Sequence, residues 1–310
     1  MNLASHLVAR GDEVLGISRS PMRSKPFTYG LEDSKQFKYS QAHLVTQLPQ
    51  AMTMLDVFRP DVIVNFAALC EVGLSWAYPL DYYETNLMAL VRLTNELANR
   101  TWLGRFIQIG SSEVYGSVER PADEDHPVKP SSPYAASKAA FDFHLRAISS
   151  HQGFPGVNVM PSNGYCEGQT LNRIIPKTII AALTGKKFTL LGGKAEKSYL
   201  HADDISRAIL LVAENGKLGG LYNCGAEEPI SIYDLVHTVA AMMGKELTEV
   251  CDLSAPRLGE DSRYWLDSTK IKALGWKPEI ALTTGLRRMI AWIKKYPELL
   301  TADQSYLHRP

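Results

Sequence analysis

Phe106-Ile107-Gln108-Ile109-Gly110-Ser111-Ser112-Glu113-Val114-Tyr115-Gly116 is an apolar run that ends in two hydroxyls and a carboxylate. A strand buried on both faces of a parallel sheet is nearly continuous in apolar residues, and its C-terminal end is where open α/β sheets receive ligands. The stretch reads as such a strand opening onto a site. Downstream, Ser131-Ser132-Pro133-Tyr134-Ala135-Ala136-Ser137-Lys138 reads as a helix opening Ser-Pro-Tyr, with a lysine one turn on. Residues four apart are neighbours on a helix face, so Tyr134 and Lys138 belong together. A nearby ammonium favours the phenolate, and a tyrosine of reference pKa about 10 can then serve as a base near neutral pH. Either piece alone is common. The order strand, Ser-Ser-Glu, loop, then Tyr and Lys on one helix favours a catalytic reading.

Working outward, apolar runs at 13–18, 61–67, 105–110 and 157–160 read as strands. Helical periods fall at 2–10, 49–58, 82–99 and 133–150, with Gly11 where a helix C′ glycine belongs. This alternation predicts an α/β fold, a Rossmann-type doubly wound parallel sheet with helices on both faces. From about residue 161 the connections lengthen, with helices expected at 172–184, 203–215, 232–243 and 283–296. The expected division is a dinucleotide-binding domain over 1–160 and a smaller α/β substrate domain over 161–310, with some segments returning to the first.

Lys+Arg and Asp+Glu balance at 33 each in 310 residues, which leaves no basic field for nucleic acid. The longest apolar runs, such as 62–69, are far below a membrane span. Residues 2–10 are too short and polar for the apolar core of a signal peptide. Cys70, Cys166, Cys224 and Cys251 lack metal or redox spacing, so no metal is expected and a cytoplasmic, reduced setting is. Cys166 reads as a small core residue rather than a nucleophile.

With these motifs the chain resembles the extended short-chain dehydrogenase/reductases, in the branch of nucleotide-sugar epimerases and dehydratases. Asn65-Phe66-Ala67-Ala68 resembles that family's strand end beside the nicotinamide, and Thr85-Asn86 its next helix start. Asn163 in Pro161-Ser162-Asn163-Gly164-Tyr165 resembles its substrate-contacting asparagine. Tyr199-Leu200-His201-Ala202-Asp203-Asp204-Ile205 resembles a later helix-opening motif, and the segment 257–278 the C-terminal signature.

The resemblance implies roles. Tyr134 takes a sugar hydroxyl proton, Lys138 holds the phenolate and contacts the nicotinamide ribose, and Ser111 hydrogen-bonds the reacting hydroxyl. Glu113 matches the carboxylate of dehydratases and decarboxylases, which can take the acidic C5 proton of a 4-keto sugar. Ser112 stands where deoxythymidine-diphosphate-glucose dehydratases carry an Asp and guanosine-diphosphate-mannose dehydratases a Ser. Phe66, Ala67, Ala68, Asn86, Tyr134 and Lys138 are the expected cofactor contacts, together with Ser18, Arg19 and Ser20 at the adenosine end. A hydroxyl beside an arginine accepts a 2′-phosphate, which favours NADP, with NAD the alternative.

Lys197 stands where the family usually has Arg; it can neutralise a phosphate but not form Arg's bidentate fork. Lys197, Arg257, Asn163 and Ser111 are the expected substrate contacts, while Met160 stands where many relatives carry another Arg. The implied activity is a nucleotide-diphosphate-hexose 4,6-dehydratase, with a 4-epimerase, a decarboxylase or an inactive relative as alternatives. The implied assembly is a homodimer pairing helices 86–99 and 133–150, with Leu87, Leu90 and Leu93 beside Phe141, Phe143 and Leu145. One departure stands out: residues 1–10 look like the helix that should follow a strand and a glycine-rich turn. A truncated start is the expectation.

Overall fold

The computed structural model describes residues 1–256, 260–306 and 308. The elements that frame the site are α1 (Asn2–Arg10), β1 (Val14–Ser18), β2 (Phe37–Gln41), α2 (Leu48–Phe58), β3 (Val62–Asn65), α3 (Val72–Ala77), α4 (Pro79–Tyr83), α5 (Ala89–Leu97), β4 (Arg105–Ile109), α6 (Pro133–Gln152) and β5 (Gly156–Pro161). The quoted apolar run forms β4, the strand between β3 and β5, with all ladders parallel. Phe106 and Ile107 are wholly buried on its opposite faces. Ile107 joins Leu3, Val157, Val159 and Ile209 on one side. Phe106 joins Leu90, Leu93, Phe141 and Leu145 on the other.

The α/β class holds, with one difference in the sheet. β1 and β2 form a separate parallel pair, while β3, β4 and β5 continue into Leu221–Cys224, a strand supplied by the second half of the chain. Among the described residues β1 pairs only with β2 and β3 only with β4. Val62 and Phe66 remain 42% and 55% exposed, more than residues at a strand inside a continuous sheet would be.

α6 starts as its sequence dictates. The Ser132 hydroxyl accepts from the Ala135 amide at 3.2 Å, Pro133 occupies the first turn, and Gly153 closes the helix in the left-handed region. The helix expected over 82–99 is broken into α4, a π turn at Glu84–Met88, and α5. Asn86 sits in that turn and is fully buried. Its side chain bonds both backbone groups of Leu69, at 2.8 and 3.0 Å, and Ser137 on α6 at 3.0 Å. The wide turn thus ties α6 to the loop after β3, a use typical of π-bulges at functional sites.

The second half adds its own layer. Helices Ile174–Thr184, Ile232–Met242 and Leu282–Lys295 bury Ile175, Ile179, Leu235, Val239, Leu286 and Met289 together. Helix Ala202–Asn215 packs Ala208, Ile209 and Val212 against the main sheet. The expected apolar face of a dimer falls differently from the sequence reading. Leu90, Leu93, Phe141 and Leu145 are core residues of this chain, Leu87 packs beside them, and only Phe143 stays exposed.

Candidate active site

The C-terminal end of β4 delivers Ser111, Ser112 and Glu113 through a short 3₁₀ turn, Ser112–Tyr115. Ser111 caps that turn, its hydroxyl 3.4 Å from the Glu113 amide. Gly116 ends the turn at φ 68°, where a Cβ would come within 2.4 Å of the Lys129 carbonyl, so only glycine fits. The opposite wall is the first two turns of α6, with Tyr134 and Lys138 buried.

The Ser111 hydroxyl lies near enough to the Tyr134 phenol to favour its ionised form. The Tyr134 ring stands edge-on to Tyr82, with centroids 6.3 Å apart. Burial holds its hydroxyl well above the usual tyrosine range, and the field of Glu113 and then of Cys70 adds to this. Ser111 and Arg173 pull the other way, toward the phenolate. Burial outweighs them, so a phenolate near neutral pH requires more cationic support than the spacing of Tyr134 and Lys138 alone supplies. Lys138 Nζ donates to the Ile109 carbonyl at 2.6 Å.

Arg173 was not legible in the sequence. It precedes helix Ile174–Thr184, and its Nη2 lies 3.1 Å from Cys70 Sγ, with Nη1 3.8 Å from Glu71. The only sequence signal was a lone cation just ahead of an apolar helix. Asp261, inside the C-terminal signature, was also missed. It accepts from Ser117 and Tyr264, each at 2.8 Å, and from Ser131, so it clamps both ends of the loop that leads from the 3₁₀ turn to α6.

Of the expected cofactor contacts, Phe66, Ala67 and Ala68 follow β3, and Ser18, Arg19 and Ser20 lie at the end of β1. Ala67 is held by Asn65 at 3.2 Å, and Phe66 and Ala67 face outward. Ser18, Arg19 and Ser20 close β1 and are partly exposed. The Arg19 and Ser20 carbonyls are bonded by Gln41 and Tyr39, at 2.7 and 2.5 Å. Burial pushes the Tyr306 phenol up, and Cys70 and Arg19 lie near enough to act on it. His308 pairs with Asp81 at 2.8 Å and stacks on Tyr78, centroids 4.5 Å apart. Asn86 reaches the cleft only through Leu69 and Ser137, as described above.

Of the expected substrate contacts, Asn163 keeps a shielded side-chain oxygen without a hydrogen-bond partner. Lys197 Nζ sits 5.2 Å from the Tyr264 ring centroid. Arg257 lies outside the described residues. At the N-terminus of α1, Asn2 bonds Asp203 and Ser206, each at 2.8 Å, and Asp203 is held deeply ionised by His201, Asn2, His6 and Arg288. This carboxylate opposes a pyrophosphate at that helix end. The residues present therefore fit the nicotinamide and adenosine ends of a dinucleotide better than its middle.

A family model described as GDP-mannose 4,6 dehydratase matches residues 1–289. The chain belongs to that family. It is accordingly an enzyme of the NAD(P)-dependent class of nucleotide-sugar dehydratases and epimerases. It is 30% identical over 290 residues to dTDP-glucose 4,6-dehydratase 1 of Escherichia coli, covering 84% of this chain and 80% of that one. It is 28% identical over 243 residues to a trifunctional enzyme of Arabidopsis thaliana that includes a UDP-glucose 4,6-dehydratase. That match covers 77% of this chain but only 36% of the plant protein. Among solved structures, a dTDP-glucose 4,6-dehydratase of Streptomyces venezuelae with NAD bound superposes with a TM-score of 0.88 at 26% identity, covering 96% of this chain and 94% of that one. No helix among the described residues is long and apolar enough to cross a membrane.

Proposed function

We propose that this family member is a nucleotide-diphosphate-hexose 4,6-dehydratase that makes a 4-keto-6-deoxy sugar. The observation that carries this reading is Glu113 at the end of β4, on the same turn as Ser111 and close enough to Tyr134 to raise its proton affinity. An epimerase needs one proton-transfer group at the oxidised carbon. A dehydratase also needs a base for the C5 proton, and a carboxylate serves that role.

Bound NAD(P) supplies the hydride acceptor, and the chain's residues do the remaining work. Ser111 orients the sugar hydroxyl, and Tyr134 takes its proton with Lys138 and Arg173 as the cations nearby. Glu113 takes the C5 proton and, as the carboxylic acid so formed, gives it to the C6 hydroxyl, which leaves as water while Ser112, with no second carboxylate beside it, hydrogen-bonds that oxygen. Lys197, Asn163 and Arg257 are proposed for the nucleotide-diphosphate sugar. The relatives named above support dTDP- and UDP-glucose as first candidates, and Ser112 adds GDP-mannose. Product analysis with these three sugars tests the reading: a 4-keto-6-deoxy product supports it, and an inverted sugar or carbon dioxide release points to an epimerase or a decarboxylase.

Arg19 supports NADP over NAD. Arg19→Ala is expected to weaken NADP about tenfold in calorimetric titration, the loss of one charge-assisted hydrogen bond, and to leave NAD unchanged. Equal loss for both would mean Arg19 merely stacks on adenine.

The assembly proposed is a homodimer. Leu80 and Phe143, on the adjacent helices α4 and α6, are 80% and 55% exposed, and an isologous contact would cover both. Light scattering at micromolar concentration should give twice the chain mass; a monomer mass counts against the pairing. The four cysteines are all free thiols, which supports a cytoplasmic setting.

A further inference from the structure

Beyond helix Leu282–Lys295 the chain makes a 3₁₀ turn, Pro297–Leu300, and then runs on without regular structure. Leu299 is buried in the core of the second half with Leu171, Ile175 and Trp292, and Leu300 packs beside it. By His308 the chain has reached the first half. The His308 ring pairs with Asp81 of α4 at 2.8 Å. It stacks on Tyr78, with centroids 4.5 Å apart and planes at 20°, and on Tyr82, at 6.2 Å and 16°. Tyr82 is the ring that stands edge-on to Tyr134. Cys70, on the loop between β3 and α3, packs against that same cluster of Leu69, Tyr82 and Tyr134. One stretch of chain is thus tied at one end to each half of the molecule, and its far anchor sits beside the catalytic tyrosine's neighbour.

Between the anchors lies Tyr306, partly buried. Cys70 and Arg19 are both near enough to act on its phenol, and Arg173 and Tyr82 are near enough to interact with it as well. Arg19 follows β1, where the adenosine end of a dinucleotide is expected, and Cys70 comes just after Phe66, Ala67 and Ala68, at the expected nicotinamide end. A dinucleotide joining those two ends therefore runs along the line that this stretch takes.

The clasp is light. Thr301, Ala302, Asp303 and Ser305 are exposed, and Asp303 turns the stretch locally by accepting from the Ser305 amide and hydroxyl at 2.8 and 2.7 Å. The His308–Asp81 pair is partly exposed, and the shielded His308 Nδ1 has no hydrogen-bond partner. Partly exposed ion pairs and ring stacks each hold far less than a buried core side chain does.

We propose that the stretch after Leu300, clasped by His308 on α4, is a strap across the dinucleotide's route, so that strap and cofactor exclude each other. This rests on the reading of Arg19 and Phe66, Ala67 and Ala68 as cofactor contacts. Only molecules with the strap lifted take up the cofactor, so the apparent affinity falls by the fraction of time the strap is down. The coupling is reciprocal: a bound dinucleotide frees the strap as strongly as the strap opposes the dinucleotide. Entry to the site is thereby regulated from the opposite end of the sequence, and anything that holds the strap away from α4 turns the enzyme on.

The test uses the full chain and reads binding alone, so it does not depend on which sugar is converted. Calorimetric titration of NADP and NAD compares the parent with His308→Ala and with Tyr306→Ala. Neither side chain is fully buried, so both variants should fold and melt near the parent. Each should bind both cofactors about tenfold more tightly, the gain expected where the strap is down about nine-tenths of the time. A mistaken cofactor preference would show as a difference between NADP and NAD, whereas a mistaken strap would show as no gain for either. Chymotryptic cleavage after Tyr306 in the parent, followed by mass, supplies the second arm and should speed up when the cofactor is added. No gain in affinity, whatever the parent's own value, overturns the proposal. Weaker binding in the variants, or cleavage that the cofactor leaves unchanged or slows, overturns it too, the slowing being what a lid closing on bound cofactor would give.

Discussion

Tyr134→Phe should lower kcat by about a thousandfold, the scale of a lost general acid–base group, while the protein stays folded. The variant removes one hydroxyl. The ring keeps its burial and its edge contact with Tyr82 at 6.3 Å. Loss of any hydrogen bond the hydroxyl makes would cost only about 1 kcal/mol in stability. A melting temperature near the parent's with near-zero turnover is the expected pair of results. Activity near the parent's would remove Tyr134 from the mechanism and leave the buried phenol a packing residue.

Glu113→Gln should separate the two halves of the reaction. Glutamine keeps the shape of the side chain at the start of the 3₁₀ turn but accepts no proton. Oxidation of the sugar should continue, since Ser111 and Tyr134 remain, and loss of water should fall by about a hundredfold or more. In a single turnover the reduced nicotinamide absorbance should then build up and persist. Because Glu113 also raises Tyr134 toward the phenol form, the variant should ease the first step slightly. Formation of 4-keto-6-deoxy product at the parent's rate would show that another group is the base.

The parts of this molecule written in local sequence were legible. β4 and β5 are mostly apolar runs, each broken by one buried amide (Gln108, Asn158), and α6 carries its serine cap and proline, so their positions followed from periodicity and cap chemistry. The break in 82–99 was not legible, because the π turn exists to place Asn86 against Leu69 and Ser137, residues distant in the chain. β2, Phe37-Lys38-Tyr39-Ser40-Gln41, is too polar to announce itself and is defined by pairing with β1. Apolar counts on α5 and α6 suggested a face for a second copy. Most of those side chains instead fill the space between the helices and the sheet, which a one-dimensional pattern does not resolve.

The site shows the same division. Ser111, Glu113, Tyr134 and Lys138 came from motif order and lie together in space. Arg173 and Asp261 act through tertiary neighbours, and their spacing in the chain gives no hint of it. The same is true of Tyr306 and His308, which reach the cleft from the far end of the sequence.

The most direct test of the central claim is product analysis. The chain, supplied with NAD or NADP, is incubated in turn with dTDP-glucose, UDP-glucose and GDP-mannose, and the sugars are resolved by mass and NMR. The account expects one of them to lose a water molecule and yield a 4-keto-6-deoxy sugar, in a reaction abolished by Tyr134→Phe. Recovery of an intact sugar inverted at C4, with no loss of water, would contradict it and make Glu113 a bystander.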